Sequence, residues 1–160
     1  MNESENRTAE NNRLWGEVVA DFFYVNKIHH VFFSPGSRST PLILALERKK
    51  NIECIPILDE RTAAFVALGK SKYIRKPTAL LCTSGSAPTH WFPAVTEAHY
   101  SGIPLLLLTA DRPPELQNCG AGQTIDQYNL FEKFVRGFHQ SPLPDSSTES
   151  VNKLTAILKA

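Results

Sequence analysis

The sequence shows almost no imbalance of charge. Its 160 residues include 17 Lys and Arg against 16 Asp and Glu, which gives a formal net charge of +1. Domains that bind nucleic acid or anionic membranes through their whole surface carry a clear excess of Lys and Arg. We therefore expect neither partner, and any recognition of an anion has to come from a few local side chains.

Long apolar runs are also missing. The longest, at residues 103–110, is far below the roughly 20 residues that a membrane-spanning helix needs. Residues 1–13 are rich in Asn, Glu and Arg and show no apolar run behind a basic start, so we expect a flexible tail there rather than a signal peptide. The remaining residues, 14–160, suffice for one domain and are too few for two.

Cysteine is scarce, and its spacing argues against two kinds of site. Cys54, Cys82 and Cys119 are odd in number, far apart and without a C-x-x-C pair. This pattern is unlike a disulfide framework or a zinc site. The five histidines show no metal-ligand spacing either. We expect a protein of the reducing cytoplasm and no metal ligand in this chain.

What is present is typical of a globular domain, with 42% hydrophobic and 21% charged residues. Leu14, Val18 and Phe22 recur at helical spacing and predict an amphipathic helix over residues 12–26. Beyond it, short apolar runs alternate with helical segments. The predicted strands are residues 31–33, 52–58, 78–82 and 105–108, and the predicted helices are residues 42–50, 60–73, 88–100, 128–134 and a last one from Ser146.

The order of these elements predicts an α/β fold, an open parallel sheet with helices on both faces. Thr40 and Asp59 are the expected N-caps of two helices, and Ser146 and Glu149 have capping-box spacing. The fourth strand is nearly all Leu, which is typical of a strand covered on both faces.

Polar segments follow the four predicted strands. In an open parallel sheet, ligands bind outside the carboxyl ends of the strands, so these segments are expected to converge on one edge. They are residues 34–39, 59–61, 83–86 and 109–114.

Two arginines lie in these segments. Arg38 precedes a helix N-terminus, whose free N–H groups favour an anion, and its guanidinium can bind a carboxylate bidentately. The alternative is that Arg38 is a solvated surface residue and that Arg112 only braces the turn between Asp111 and Pro113. Two arginines at one edge favour a small ligand that bears carboxylates.

Glu60 is the candidate acid or base of this edge. It follows an apolar strand and precedes Ala63 and Ala64, so its carboxyl group is expected in an apolar crevice where it can hold or share a proton. The open alternative is that Asp59 and Glu60 only favour a helix N-terminus.

Taken together, the strand-end segments resemble the N-terminal pyrimidine-binding domain of the MenD family. These are 2-succinyl-5-enolpyruvyl-6-hydroxy-3-cyclohexene-1-carboxylate synthases, thiamine diphosphate enzymes of menaquinone biosynthesis. The similarity runs from about Leu14 to Phe131, and the first and last segments are specific to this family. The matching segments are Ser34-Pro35-Gly36-Ser37-Arg38-Ser39-Thr40-Pro41, Asp59-Glu60-Arg61, Thr83-Ser84-Gly85 and Thr109-Ala110-Asp111-Arg112-Pro113-Pro114-Glu115-Leu116.

The resemblance implies a reaction in which 2-oxoglutarate is decarboxylated on thiamine diphosphate and the succinyl carbanion equivalent adds to isochorismate. It implies that Glu60 is the catalytic, cofactor-activating glutamate, which hydrogen-bonds N1′ of the aminopyrimidine ring. Ser84 and Gly85 match further cofactor-binding positions. The matching substrate-binding positions are Ser37, Arg38, Arg112 and Gln123.

Two departures from the family pattern stand out. Gly122 occupies a position where similar proteins have Asn, so that amide contact is absent or replaced. Family members also have further domains, of which the last holds Mg²⁺ and the cofactor diphosphate through a Gly-Asp-Gly motif, and no Asp of this chain is followed by Gly. The chain therefore resembles the first domain alone. We expect it to be inactive by itself and to belong to a homo-oligomer in the full-length enzyme.

Two alternatives stay open. Another thiamine diphosphate decarboxylase or carboligase would share the glutamate and the sheet, but not Ser-Arg-Ser and Asp-Arg-Pro-Pro. A non-catalytic α/β module that binds a carboxylate metabolite would use Glu60 only as a helix-end charge.

Overall fold

A computed structural model describes the backbone of residues 3–160 and the side chains from residue 5 onwards. The strands are β1 (His30–Phe33), β2 (Glu53–Pro56), β3 (Thr78–Cys82) and β4 (Leu105–Thr109). The α-helices are α1 (Glu3–Val25), α2 (Thr40–Glu47), α3 (Glu60–Ile74), α4 (Phe92–Ser101) and α5 (Thr148–Lys159). Short 3-10 helices cover Ala87–Trp91, Pro114–Leu116 and Glu132–Phe134.

The strands form one parallel sheet in the order β2-β1-β3-β4. Successive side chains of β1 point to opposite faces, as the pleat requires. Val31 and Phe33 join a core with α1, α2 and α5, whereas Phe32 joins a second core with α3 and α4. The predicted open parallel sheet with helices on both faces is confirmed.

The strand order creates a topological switch point between β1 and β3. The chain leaves β1 through α2 on one face to reach β2, and it returns through α3 on the other face to β3. The connections after β1 and β3 therefore lead to helices on opposite faces of the sheet, and such a switch point is where open α/β sheets bind ligands. The segments that follow these two strands are the ones that carry most of the predicted site.

The prediction of a tail over residues 1–13 is wrong for the described part, because α1 already begins at Glu3; Met1 and Asn2 lie outside the described residues. The start of α1 lies beside the start of α5. The indole Nε1–H of Trp15 donates to the Asp145 carbonyl at 2.8 Å. The pKa of Asp145 is lowered chiefly by the Ser147 backbone N–H, and the charge of Arg7 on α1 adds to this effect. This support comes from residues far away in the sequence, so local composition does not reveal it.

Other boundaries shift by a few residues. Pro41 lies in the first turn of α2 as expected, but Ser39, not Thr40, occupies the N-cap position. At α5 the cap is Ser147, whose hydroxyl accepts from the Ser150 N–H, so the Ser146 prediction is corrected. Asp59 caps α3 as predicted. The structure shortens three predicted elements, to β2 at Glu53–Pro56, α2 at Thr40–Glu47 and the 3-10 helix Glu132–Phe134.

The fourth strand differs from its prediction in burial. Its leucines, Leu105 to Leu108, are only half-buried because β4 forms an edge of the described sheet. By contrast, every residue of β3 is buried. No helix of the described residues is both long and apolar enough to cross a membrane.

Candidate functional site

The segment after β1 is anchored to both neighbouring strands. The Ser34 N–H donates to the Leu81 carbonyl at 3.0 Å, and the Ser34 hydroxyl donates to the Ile57 carbonyl at 2.9 Å. Ser34 is 1% exposed, so both bonds are shielded from water. The loop that carries Ser37 and Arg38 therefore starts from a fixed point at the centre of the sheet.

The next turn of this loop touches the segment after β3. A Cβ on Gly36 would lie 2.3 Å from the Cβ of Thr83, so only glycine fits at this contact. The Ser39 hydroxyl is buried and donates to the Gly36 carbonyl at 2.9 Å, which makes Ser39 a structural residue. Ser37 and Arg38 remain exposed at the beginning of α2. Within residues 3–160, the guanidinium of Arg38 has no hydrogen bond or ion pair.

Asp59 and Glu60 perform different tasks at the start of α3. The Asp59 carboxylate accepts from the backbone N–H groups of Arg61 and Thr62 and from the Arg61 guanidinium at 2.6 Å. These bonds, that from the Arg61 side chain above all, hold the pKa of Asp59 well below its usual range. Because Asp59 satisfies the helix end, Glu60 is not needed as the cap.

The carboxylate of Glu60 is half-buried and has no hydrogen bond or ion pair within residues 3–160. Its negative charge adds to the effect of burial in raising the pKa of the Cys82 thiol, which shows that Glu60 lies near the end of β3. Ala63 and Ala64, which follow it on α3, are 1% and 0% exposed. Glu60 therefore lies at the carboxyl edge of the sheet, next to the apolar residues of α3. This agrees in part with the apolar surrounding that the sequence predicts for its carboxyl group.

Ser84 and Gly85, after β3, are bound to a distant loop. The Ser84 hydroxyl donates to the Gln123 carbonyl at 3.0 Å, and the Gln123 amide donates back to the Ser84 carbonyl at 3.3 Å. Gly85 has a φ of +84°, and a Cβ there would lie 2.9 Å from the Cγ of Gln123. These polar groups therefore shape the edge by binding one another.

Arg112, after β4, binds the same loop. Its guanidinium donates to the carbonyls of Gly122 at 3.0 Å and Gln123 at 3.5 Å, and the Gln117 amide donates to the Arg112 carbonyl at 2.9 Å. Arg112 therefore braces this distant loop, rather than the turn between Asp111 and Pro113. Gly122 contributes its carbonyl to this contact, and a Cβ on it would meet nothing within 4 Å.

The structure brings most of the predicted residues to one edge. Four of them lie together, three joined by hydrogen bonds and Gly85 by its close approach to Gln123, and the Gly36–Thr83 contact joins them to the loop of Ser37 and Arg38. They are Ser84, Gly85, Arg112 and Gln123. Glu60 stands apart from this group, on the side of α3. The described residues contain no cluster of three or more His, Cys, Asp or Glu that could hold a metal ion.

One residue of this edge carries no sequence signal. Gln127 is 7% exposed, and its amide accepts from the Gly85 N–H at 2.8 Å and donates to the Ala110 carbonyl at 3.1 Å. Nothing in the local pattern distinguishes it from the exposed Gln140.

A surface cavity of about 480 Å³ lies away from this edge, near the amino ends of β3 and β4, where Lys72 and Arg75 line it.

Comparison with known proteins identifies relatives over most of the chain. The family model described as "Thiamine pyrophosphate enzyme, N-terminal TPP binding domain" matches residues 15–130. The 2-succinyl-5-enolpyruvyl-6-hydroxy-3-cyclohexene-1-carboxylate synthases of Haloarcula marismortui and Microcystis aeruginosa are each 48% identical to the chain, over 92% and 89% of its length. The chain spans only 25% of either relative.

Among solved structures, benzoylformate decarboxylase from Polynucleobacter necessarius has a TM-score of 0.67 and 19% sequence identity. The match covers 76% of this chain and 23% of that protein. At this identity the likeness concerns the fold alone.

Proposed function

The chain belongs to the family of thiamine pyrophosphate enzyme N-terminal domains, and we propose that it is this domain of a 2-succinyl-5-enolpyruvyl-6-hydroxy-3-cyclohexene-1-carboxylate synthase. The observation that carries the proposal is 48% identity to such a synthase over 92% of the chain. The whole enzyme would be a transferase of menaquinone biosynthesis that decarboxylates 2-oxoglutarate and joins the succinyl unit to isochorismate. Residues 14–160 would form its pyrimidine-binding domain.

The residues at the sheet edge fit the aminopyrimidine half of the cofactor. Glu60 is half-buried, and its carboxylate has no partner within residues 3–160, so it is available to share a proton with a ring nitrogen. Thiamine diphosphate, when bound, supplies the electron sink for decarboxylation of a 2-oxo acid. Glu60 would bind the pyrimidine ring and hold a proton at its carboxylate, while Ser84 and Gly85 would line the adjoining wall.

The arginines suit the carboxylates of the substrates. Arg38 is exposed and unpartnered within residues 3–160, at a helix start where N–H groups add to its positive charge. Ser37 would bind beside it. Arg112 and Gln123 would contribute from the opposite loop, and Arg112 would do so with a guanidinium that already holds two backbone carbonyls.

The rest of the catalytic centre would come from another part of the longer protein. Mg²⁺ and the cofactor diphosphate would be held there, so this chain alone would be inactive. A homo-oligomer is supported by the apolar surface of α3, where Phe65, Val66 and Tyr73 are 50%, 42% and 86% exposed. The free cysteines and the net charge of +1 support a cytoplasmic enzyme that binds no nucleic acid.

The direct test replaces Glu60 in the full-length enzyme and measures exchange of the C2 proton of thiamine diphosphate. Glu60→Gln removes the ionisable group, and we expect exchange to slow by about 10²–10⁴-fold, the usual contribution of a positioned acid–base group. Glu115→Gln, an exposed change on the same edge, serves as the control. An unchanged exchange rate in Glu60→Gln would remove Glu60 from this role.

Substrate assays separate the proposal from another thiamine diphosphate decarboxylase. The full-length enzyme should consume 2-oxoglutarate only when isochorismate is also present to form the product. Turnover of other 2-oxo acids without isochorismate would favour the other decarboxylase.

A further inference from the structure

We propose that Gln127 is a positioning residue of the strand-end site, whose buried amide holds the Gly85 peptide and the segment before Arg112 in one arrangement. The inference rests on the proposed function only where it takes Gly85 and Arg112 to be ligand-binding residues. The bridge that Gln127 forms does not depend on any ligand.

Gln127 connects the ends of two adjacent strands. Its Oε1 accepts from the Gly85 N–H at 2.8 Å, three residues after β3, and its Nε2 donates to the Ala110 carbonyl at 3.1 Å, directly after β4. The Ala110 N–H in turn donates to the Cys82 carbonyl at 3.1 Å. One side chain thus continues the β3–β4 pairing beyond the last residues of both strands.

Only a glutamine suits this place. The bridge needs an acceptor and a donor at the end of one side chain, and the amide offers both. An ionised glutamate accepts but cannot donate, and methionine of similar length does neither well. Gln127 is 7% exposed, so water cannot readily replace either of its hydrogen bonds. If its amide were removed, the Gly85 N–H and the Ala110 carbonyl would lose these partners.

The bridge closes a ring of contacts around the predicted ligand residues. Gln123 binds Ser84 through two hydrogen bonds, and Arg112 binds the Gln123 carbonyl. Gln127 joins the two ends of this ring, at Gly85 and at Ala110. The ring therefore helps to set the distance between the loop after β3 and the loop of Arg112, and without Gln127 only the bond between the Ala110 N–H and the Cys82 carbonyl would join them on this side.

The test uses ¹⁵N NMR spectroscopy of the ligand-free 160-residue chain. In Gln127→Met we expect the Gly85 amide and Arg112 Nε–H resonances to shift and the hydrogen-exchange protection of Gly85 to fall by about tenfold. The amide of Phe32, at the centre of the sheet, should keep its protection within about twofold. Unchanged Gly85 signals, or an equal loss of protection at Phe32, would overturn the proposal.

A second variant keeps the test independent of the stability of Gln127→Met. In Gln127→Glu, the protonated carboxyl group can accept from Gly85 and donate to Ala110, whereas the ionised form cannot donate. The Gly85 resonance should therefore return to its wild-type position at low pH and move away as the carboxyl group ionises. The exposed Gln140→Glu is the charge-matched control and should show no such titration at Gly85.

A Gly85 resonance in Gln127→Glu that does not respond to pH would overturn the proposal. Since no cofactor or substrate is present, this outcome is distinct from a failure of the C2-proton exchange experiment. The latter would revise the reaction and leave the bridge of Gln127 in place.

Discussion

A Cβ on Gly36 would lie 2.3 Å from the Cβ of Thr83, so the loops after β1 and β3 meet at a point that admits only a hydrogen atom. Cβ atoms in proteins do not approach each other this closely. The Thr83 Cβ cannot move aside, because it is bonded directly to the backbone. This contact fixes how closely the two loops approach each other beside β1. The positions of Arg38 on one loop and Ser84 on the other both depend on it.

Gly36→Ala should therefore destabilise the chain, by about 1–3 kcal/mol, the usual cost of overpacking. Gly122→Ala is the control, because a Cβ there meets nothing within 4 Å, and it should stabilise by about 0.4–1 kcal/mol through the unfolded state. Urea denaturation measures both changes. Equal stabilities of the two variants would contradict the contact.

Thr83→Gly removes the blocking Cβ. Its effect should be coupled to that of Gly36→Ala, so that the double variant loses less stability than the sum of the two single changes. A double-mutant cycle from the same denaturation curves checks this. Strict additivity would mean that the two loops relax independently.

Arg38 and Arg112 should respond differently to removal. Arg38→Ala deletes an exposed side chain without a partner in residues 3–160, so the free energy of unfolding should change by no more than about 0.5 kcal/mol. Arg112→Ala deletes the bonds to the Gly122 and Gln123 carbonyls and should cost about 1 kcal/mol. The proposed function adds that both changes should weaken isochorismate binding in the full-length enzyme. A stability loss in Arg38→Ala equal to that in Arg112→Ala would be inconsistent with the structure.

The three cysteines should react with iodoacetamide in a fixed order. Cys119 is exposed and should react first. Burial raises the pKa of the Cys54 thiol to about 11, which leaves little thiolate at pH 8, so this residue should follow slowly. Cys82 is 0% exposed, and burial and the charge of Glu60 raise its pKa, so it should react only after unfolding. Mass spectrometry of time points gives the order, and early labelling of Cys82 would contradict it.

The charge of Asp59 should stabilise α3 at neutral pH and lose this effect in acid. Its pKa in the folded chain is lowered, chiefly by the Arg61 side chain, so the folded state binds the proton less readily than the unfolded state does. The stabilisation is therefore complete above the unfolded pKa of about 3.9 and declines as the pH falls below it.

Asp59→Asn tests this, because asparagine still caps a helix but carries no charge. The variant should melt at a lower temperature than the wild type at pH 7, and the difference should shrink steadily below about pH 4. Thermal unfolding followed by circular dichroism measures it. A difference that stays constant from neutral to acid pH would exclude the charge of Asp59 as its source.

Much of the fold is predictable because it follows from neighbouring residues. The apolar runs of β1 and β3, the cap at Asp59 and the proline in the first turn of α2 all act within a few positions of the chain. The edge that carries the candidate site is predictable for a similar reason, since parallel strands bring their carboxyl ends to one edge whatever their side chains are.

Other features depend on partners that the local pattern does not contain. Composition suggested a tail before residue 14, but the helix from Glu3 lies against the start of α5. Leu105 to Leu108 have the composition of a covered strand, yet their burial depends on what lies beyond β4. Arg112 has two interpretations, and its bonds to the Gly122 and Gln123 carbonyls appear only in the folded chain.

The sequence by itself determined the parallel α/β sheet, the family resemblance and the edge at which the candidate ligand residues gather, because periodicity, caps and strand-end motifs are encoded over short spans. The tertiary structure decided which of those residues are free and which bind one another. Gln127 shows the reason most clearly. Its two partners lie 42 and 17 residues away, so its role exists only when the folded chain brings their backbone groups within hydrogen-bond distance and excludes water from them.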